Sequence, residues 1–123
     1  MKKITYLILL FYSISFSQLS TDPSPFEVNQ SVTITIDANS DQTNCNGFNS
    51  PNKVYMHSGI GDDNNPWGFS VIGNWGQDDG VGEMTDNGDG TWSITILPED
   101  YFSLSSSEAA SSTKMGLVFR NED

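Results

Sequence analysis

The chain has 123 residues with 16 acidic and only 5 basic residues, a net charge of −11. That length suits one domain with a single core. Such an acidic surface repels phosphate, so nucleic acid and anionic membranes are poor partners, while a neutral ligand, a cation or an extracellular existence is compatible.

The chain begins "MKKITYLILLFYSISFSQ". Lys2 and Lys3 precede an apolar run from Ile4 to Phe11, and Ser15 and Ser17 flank a cleavage point after Ser17. This pattern predicts a secretory signal peptide over residues 1–17. The apolar run falls short of the roughly 20 residues that a membrane span needs, so no membrane insertion is expected after cleavage. Loss of the two lysines takes the net charge to −13 and leaves Lys53, Lys114 and Arg120 as the basic residues. The protein is expected to be secreted or held at the cell surface.

Residues 18–30, "QLSTDPSPFEVNQ", read as a lead-in segment, and residues 31–123 as the domain. Val32, Ile34 and Ile36 alternate with Thr33 and Thr35, which predicts a half-buried strand. Residues 39–52 are rich in Asn, Asp and Gly and read as a long loop. Cys45 lies in that loop. As a lone cysteine it has no intramolecular disulfide partner. His57 is the one available partner for a thiol nucleophile, and no orienting third group is evident.

"KVYMHS" reads as a second strand, with Val54 and Met56 on the core face and Tyr55 and His57 on the opposite, outward face. "GFSVIG" is a short third strand. "TDNGDGTWSITILP" predicts a hairpin, with Asn87 to Gly90 as its turn and Trp92, Ile94 and Ile96 facing the core. Asp86 and Asp89 suit turn chemistry. A calcium loop would need a ligand series ending in a bidentate Glu, which is missing at that spacing. "PEDYFSL" can hold one helical turn, "SSSEAASS" reads as a Ser-rich loop, and "TKMGLVFR" as a last strand. No segment sustains a helical period. The expectation is an all-β antiparallel sandwich. With about five strands where a small sandwich has about seven, either a closing strand is missing or the first strand covers an edge. The chain therefore reads as a fragment of a longer protein.

Trp67 and Trp75 stand in Gly- and Asn-rich surroundings, beside strands, where a core is not expected. An exposed aromatic face suits the axial C–H surface of a sugar ring, and Asn74, Gln77, Asp78 and Asp79 supply planar partners for hydroxyls. The competing reading has one or both Trp capping the open end of the sandwich. Adjacent carboxylates abound, at Asp62 and Asp63, at Asp78 and Asp79, and at Asp86 and Asp89. On exposed Gly-rich loops they lack the held, opposed geometry that glycoside hydrolysis needs, so no enzyme activity is expected within the chain.

Taken together, "KVYMHSGIGDDNNPW", "MTDNGDGTWSITI" and "KMGLVFRNED" resemble the starch-binding carbohydrate-binding modules of secreted amylases and surface starch-utilisation proteins of bacteroidetes. The shared features are Val-Tyr-x-His-x-Gly, a Trp about ten residues later, a turn followed by Trp-x-x-x-Ile, and a late Phe-x-Asn strand. The likeness covers residues 31–123. It implies an immunoglobulin-like β-sandwich that binds α-1,4-glucan; no cofactor is expected, with calcium left open. Tyr55 and His57 would form the strand platform and Trp67 the loop platform, with Trp75 in a longer loop beside Asn74 and Gln77. The alternatives are a calcium-stabilised structural or adhesive sandwich, and the N-terminal part of a secreted glycoside hydrolase.

Overall fold

A computed structural model describes residues 18–38 and 51–123. The expected signal peptide, most of the 39–52 loop and Cys45 lie outside the described residues. Among the described residues seven strands form two antiparallel sheets, with two short helices between the last two strands. The first sheet has the order β1-β2-β6-β5, built from β1 (Leu19–Asp22), β2 (Val32–Asp37), β6 (Thr91–Ile96) and β5 (Thr85–Asp86). The second has the order β4-β3-β7, built from β4 (Ser70–Ile72), β3 (Tyr55–Gly61) and β7 (Lys114–Arg120). The all-β sandwich read from strand periodicity is the architecture found.

Alternation sets what each sheet turns inward. Val32, Ile34 and Ile36 of β2 are buried, and Trp92 and Ile96 of β6 are buried beside them. The register Ile34↔Ile94 and Ile36↔Trp92 brings these side chains to one face. From the other sheet, Val54, Met56 and Ile60 complete the core. Trp92 thus lies where its phase with Ile94 and Ile96 puts it. Burying side chains of this size contributes about 1.5–3 kcal/mol each against leaving them in water.

Two segments differ from the sequence expectation. Residues 18–30 are an integral part of the domain rather than a lead-in. Leu19–Asp22 pairs with β2, and Phe26 and Val28 pack against the core. The strand count rises to seven through β1 and the two-residue arm β5, so β1 covers the edge of β2. Single short strands with exposed faces carry too few apolar positions to register as a period-two pattern. The second difference is helix α2 (Ser106–Ser111), within the stretch read as a Ser-rich loop. Its signal is a capping box. The Ser105 side chain accepts from the Glu108 backbone amide, and the Glu108 carboxylate accepts from the Ser105 amide at 2.8 Å. The expected helical turn is α1 (Pro98–Tyr101), with Pro in its first turn, where the missing N–H costs nothing.

The β5–β6 turn is built as the sequence predicts. Gly88 and Gly90 take positive φ values of 81° and 88°. The Asp86 carboxylate accepts from the Gly88 amide at 2.8 Å, and Asp89 accepts from both the amide (3.0 Å) and the hydroxyl (2.6 Å) of Thr91. Both carboxylates serve the turn.

Candidate ligand-binding face on the outer side of the second sheet

The two sheets carry different chemistry on their outer faces. On the first, Thr33, Thr35, Ser93 and Thr95 face outward, and Thr33 and Thr95 share a hydroxyl hydrogen bond at 2.8 Å across β2 and β6. The second carries Tyr55, His57 and Gly59 of β3. Their β7 partners are Arg120, Val118 and Gly116. Val71 of β4 pairs with Gly59 and stands half-exposed on the same face. Aromatic and apolar groups are therefore concentrated on one outer surface.

Trp67 reaches this face because the β3–β4 loop curls back on itself. Asp62 accepts from the amides of Asn64 (2.9 Å) and Asn65 (3.1 Å), and the Asn65 side chain accepts from the Trp67 amide at 3.0 Å. The indole then lies flat over the pair Gly59↔Gly116. A Cβ on Gly59 would stand 2.8 Å from Trp67 Cδ2, and a Cβ on Gly116 2.5 Å from Cζ2. Glycine at both positions is what admits the ring. Trp67 is consequently half-buried, with one face on the sheet.

His57 stands next along the strand, between the two indoles. Its ring lies 5.9 Å from Trp67, tilted by 34°, and 4.4 Å from Trp75, stacked at 26°. Trp75 is 59% exposed, the most open large apolar side chain on this face. Trp67 and Trp75 form a ledge joined by the His57 ring packed between them, flanked by the exposed side chains of Val71 and Val118. Asn74 and Gln77 are exposed beside it. The Asn74 side chain donates to Asp79 at 2.7 Å, which holds that carboxylate below its usual pKa, with the Val81 amide adding to the effect.

Tyr55 requires a correction. Its ring does leave the outer face of β3, as alternation demands, yet it is 0% exposed. His57, at 8%, is also covered rather than open to solvent. The cause is the loop 73–83, which folds back over both. The backbone of Gly82 accepts from the Met56 amide and that of Val54 from the Met84 amide, each at 2.8 Å, so the loop runs on as an extra edge beside β3. Gly73, with φ of 133°, passes directly over His57, and a Cβ there would fall 2.9 Å from His57 Cγ. Tyr55 therefore serves as a floor beneath the ledge. Its hydroxyl donates to Asp78 and, at 3.3 Å, to Glu83, while the Arg120 guanidinium sits 4.4 Å above its ring centroid.

This floor is a charged network. Lys53 donates to Asp78 at 2.7 Å. Lys53 and then Tyr55, both hydrogen-bonded to it, hold the Asp78 carboxyl below its usual pKa. In return Asp78 raises the pKa of Tyr55, with burial adding to the effect, and raises that of Lys53. Composition had marked Asp78 as a ligand partner, and its carboxylate is used in holding the loop. Val71, Val118 and the floor residue Arg120 were not singled out from the sequence. The outward set of β7, Lys114, Gly116, Val118 and Arg120, is readable once the strand is given a phase.

A second concavity of about 670 Å³ lies between residues 21–28 and the α2–β7 region, with Phe26, Val28, Ile34, Ile60, Met115 and Leu117 among its walls. It contains none of the residues predicted as site residues. Among the described residues no three His, Cys, Asp or Glu side chains cluster as a metal site would require. None of the described helices is long and apolar enough to cross a membrane. Compared with models of protein families and with curated proteins, the chain matches none of either.

Proposed function

We propose that this chain is a non-catalytic carbohydrate-binding domain that holds a polysaccharide on the Trp67–His57–Trp75 ledge. The observation that carries the reading is Trp75, 59% exposed and stacked at 4.4 Å on His57 beside a second indole. An exposed indole loses favourable burial unless something covers it, and a sugar ring offers a flat C–H face of matching size. Val71 and Val118 extend the apolar floor. Asn74 and Gln77 stand at its rim, where amides can meet ring hydroxyls. An α-glucan is the favoured ligand on the strength of the resemblance of residues 31–123 to starch-binding modules. The predicted leader over residues 1–17 supports action outside the cell, where such polymers are met.

The carboxylates support a binding role over catalysis. Asp62, Asp79, Asp86 and Asp89 each accept backbone amides, and Asp78 is tied to Lys53 and Tyr55. Affinity electrophoresis in gels containing soluble starch tests the reading. Retardation of the wild type, lost in Trp75→Ala, is the expected result. Unretarded migration of the wild type in starch would remove the α-glucan assignment, and unretarded migration across a panel of other polysaccharides would remove saccharide binding altogether.

A further inference from the structure

Trp75 poses a physical problem. It is a largely exposed ring on a loop where Gly73, Gly76, Gly80 and Gly82 all take positive φ. A ring on so permissive a chain would sample many positions, and a ligand would have to supply the ordering cost. The structure fixes the loop from beneath. Arg120 ends β7 opposite Tyr55 and is 7% exposed. Its Nη2 donates to the backbone carbonyls of both Asn74 and Gln77, each at 2.6 Å, and these two carbonyls bracket Trp75 and Gly76. Nη1 donates to the Asn121 carbonyl at 2.8 Å, and the guanidinium carbon lies over the Tyr55 ring, 4.4 Å from its centroid. One residue beyond Gln77, Asp78 receives the Tyr55 hydroxyl and Lys53.

We propose that Arg120 is the positioning residue of the ledge: gripping both ends of the 74–77 turn, it pre-sets Trp75 against His57 and never touches the ligand. This rests on reading Trp75 as the saccharide platform. The chemistry requires arginine. Two hydrogens on one planar nitrogen reach two carbonyls while the same cation sits over an aromatic ring, and an ammonium on a flexible stem cannot reproduce that geometry. The hydrogen bonds that Arg120 donates go to backbone carbonyls, which marks it as a clamp on backbone.

The test uses the full chain labelled with 5-fluorotryptophan, the Trp75 and Trp92 fluorine signals being assigned from Trp75→Phe and Trp92→Phe. In Arg120→Lys the Trp75 signal is expected to move towards that of the free amino acid, while the Trp92 signal, reporting the core, stays in place. Affinity for maltoheptaose, measured by titration calorimetry, is expected to fall about tenfold as the ordering cost passes to the ligand. A Trp75 signal unchanged in folded Arg120→Lys would overturn the clamp. Should that variant not fold, the wild type decides. Separate Nη proton resonances for Arg120, showing hindered rotation, are expected, and a single averaged resonance would overturn the proposal. A wild type that does not bind maltoheptaose would count against the α-glucan reading, while the fluorine and guanidinium signals would still decide the clamp.

Discussion

His57 and Trp75 stack with their centroids 4.4 Å apart, although one lies on a central strand and the other on a Gly-rich loop. The contact buries one face of the exposed indole and leaves the other open. It also covers His57, whose Nδ1 has no hydrogen-bond partner. The ledge therefore has a fixed floor and a free upper surface, as a stacking platform requires.

Trp75→Ala should lower affinity for soluble starch by about tenfold or more, since an aromatic platform contributes well over 1 kcal/mol when it is covered. Stability in urea should be almost unchanged, because the side chain is mostly solvated. Equal binding of Trp75→Ala and wild type would locate the site elsewhere.

Gly116→Val tests the seat of Trp67. A side chain there must displace the indole, and overpacking of this kind costs about 1–3 kcal/mol. The measurement is the urea midpoint, with binding as the second readout, and both should fall. Loss of binding without loss of stability would mean that the indole moves freely, contrary to its flat seat on Gly59 and Gly116.

Trp92→Ala should behave oppositely to Trp75→Ala. Trp92 is buried between the sheets, and truncation of a core aromatic costs about 3–5 kcal/mol. Thermal unfolding should shift strongly downward, while the protein that remains folded keeps its affinity for starch.

The Asp78 network predicts loss of stability at both ends of the pH scale. The folded-state pKa of Asp78 is lowered, so its contribution is complete above the unfolded value near 3.8 and is lost as pH falls through the lower folded value. The Tyr55 pKa is raised, so its contribution is complete below 10.0 and is lost as pH rises through the folded value. Urea midpoints measured against pH should fall in both limbs. Tyr55→Phe should flatten the alkaline limb, and Asp78→Asn the acid one. An alkaline limb unchanged in Tyr55→Phe would show that the hydroxyl is not held by Asp78.

The architecture was largely legible along the chain. Val32, Ile34 and Ile36, and Trp92, Ile94 and Ile96, repeat every second residue, and the Asn87–Gly90 turn marks a hairpin. These are local patterns set by backbone geometry and solvent, so they can be read without knowing the neighbours. β1 escaped because four residues with an exposed face hold no period, and α2 because its capping box was outweighed by its serines.

The aromatic cluster was legible in its membership and not in its depth. Composition and spacing placed Tyr55, His57, Trp67 and Trp75 together, and alternation put Tyr55 and His57 on the outer face of β3. Only the tertiary structure decided which of the four meets solvent. Loop 73–83 is tied down by Arg120 and by Asp78, whose partners lie in other strands or many residues away. Those contacts buried Tyr55 in the floor and raised Trp75 above it, because exposure depends on what else folds over a face, and strand periodicity carries no record of that.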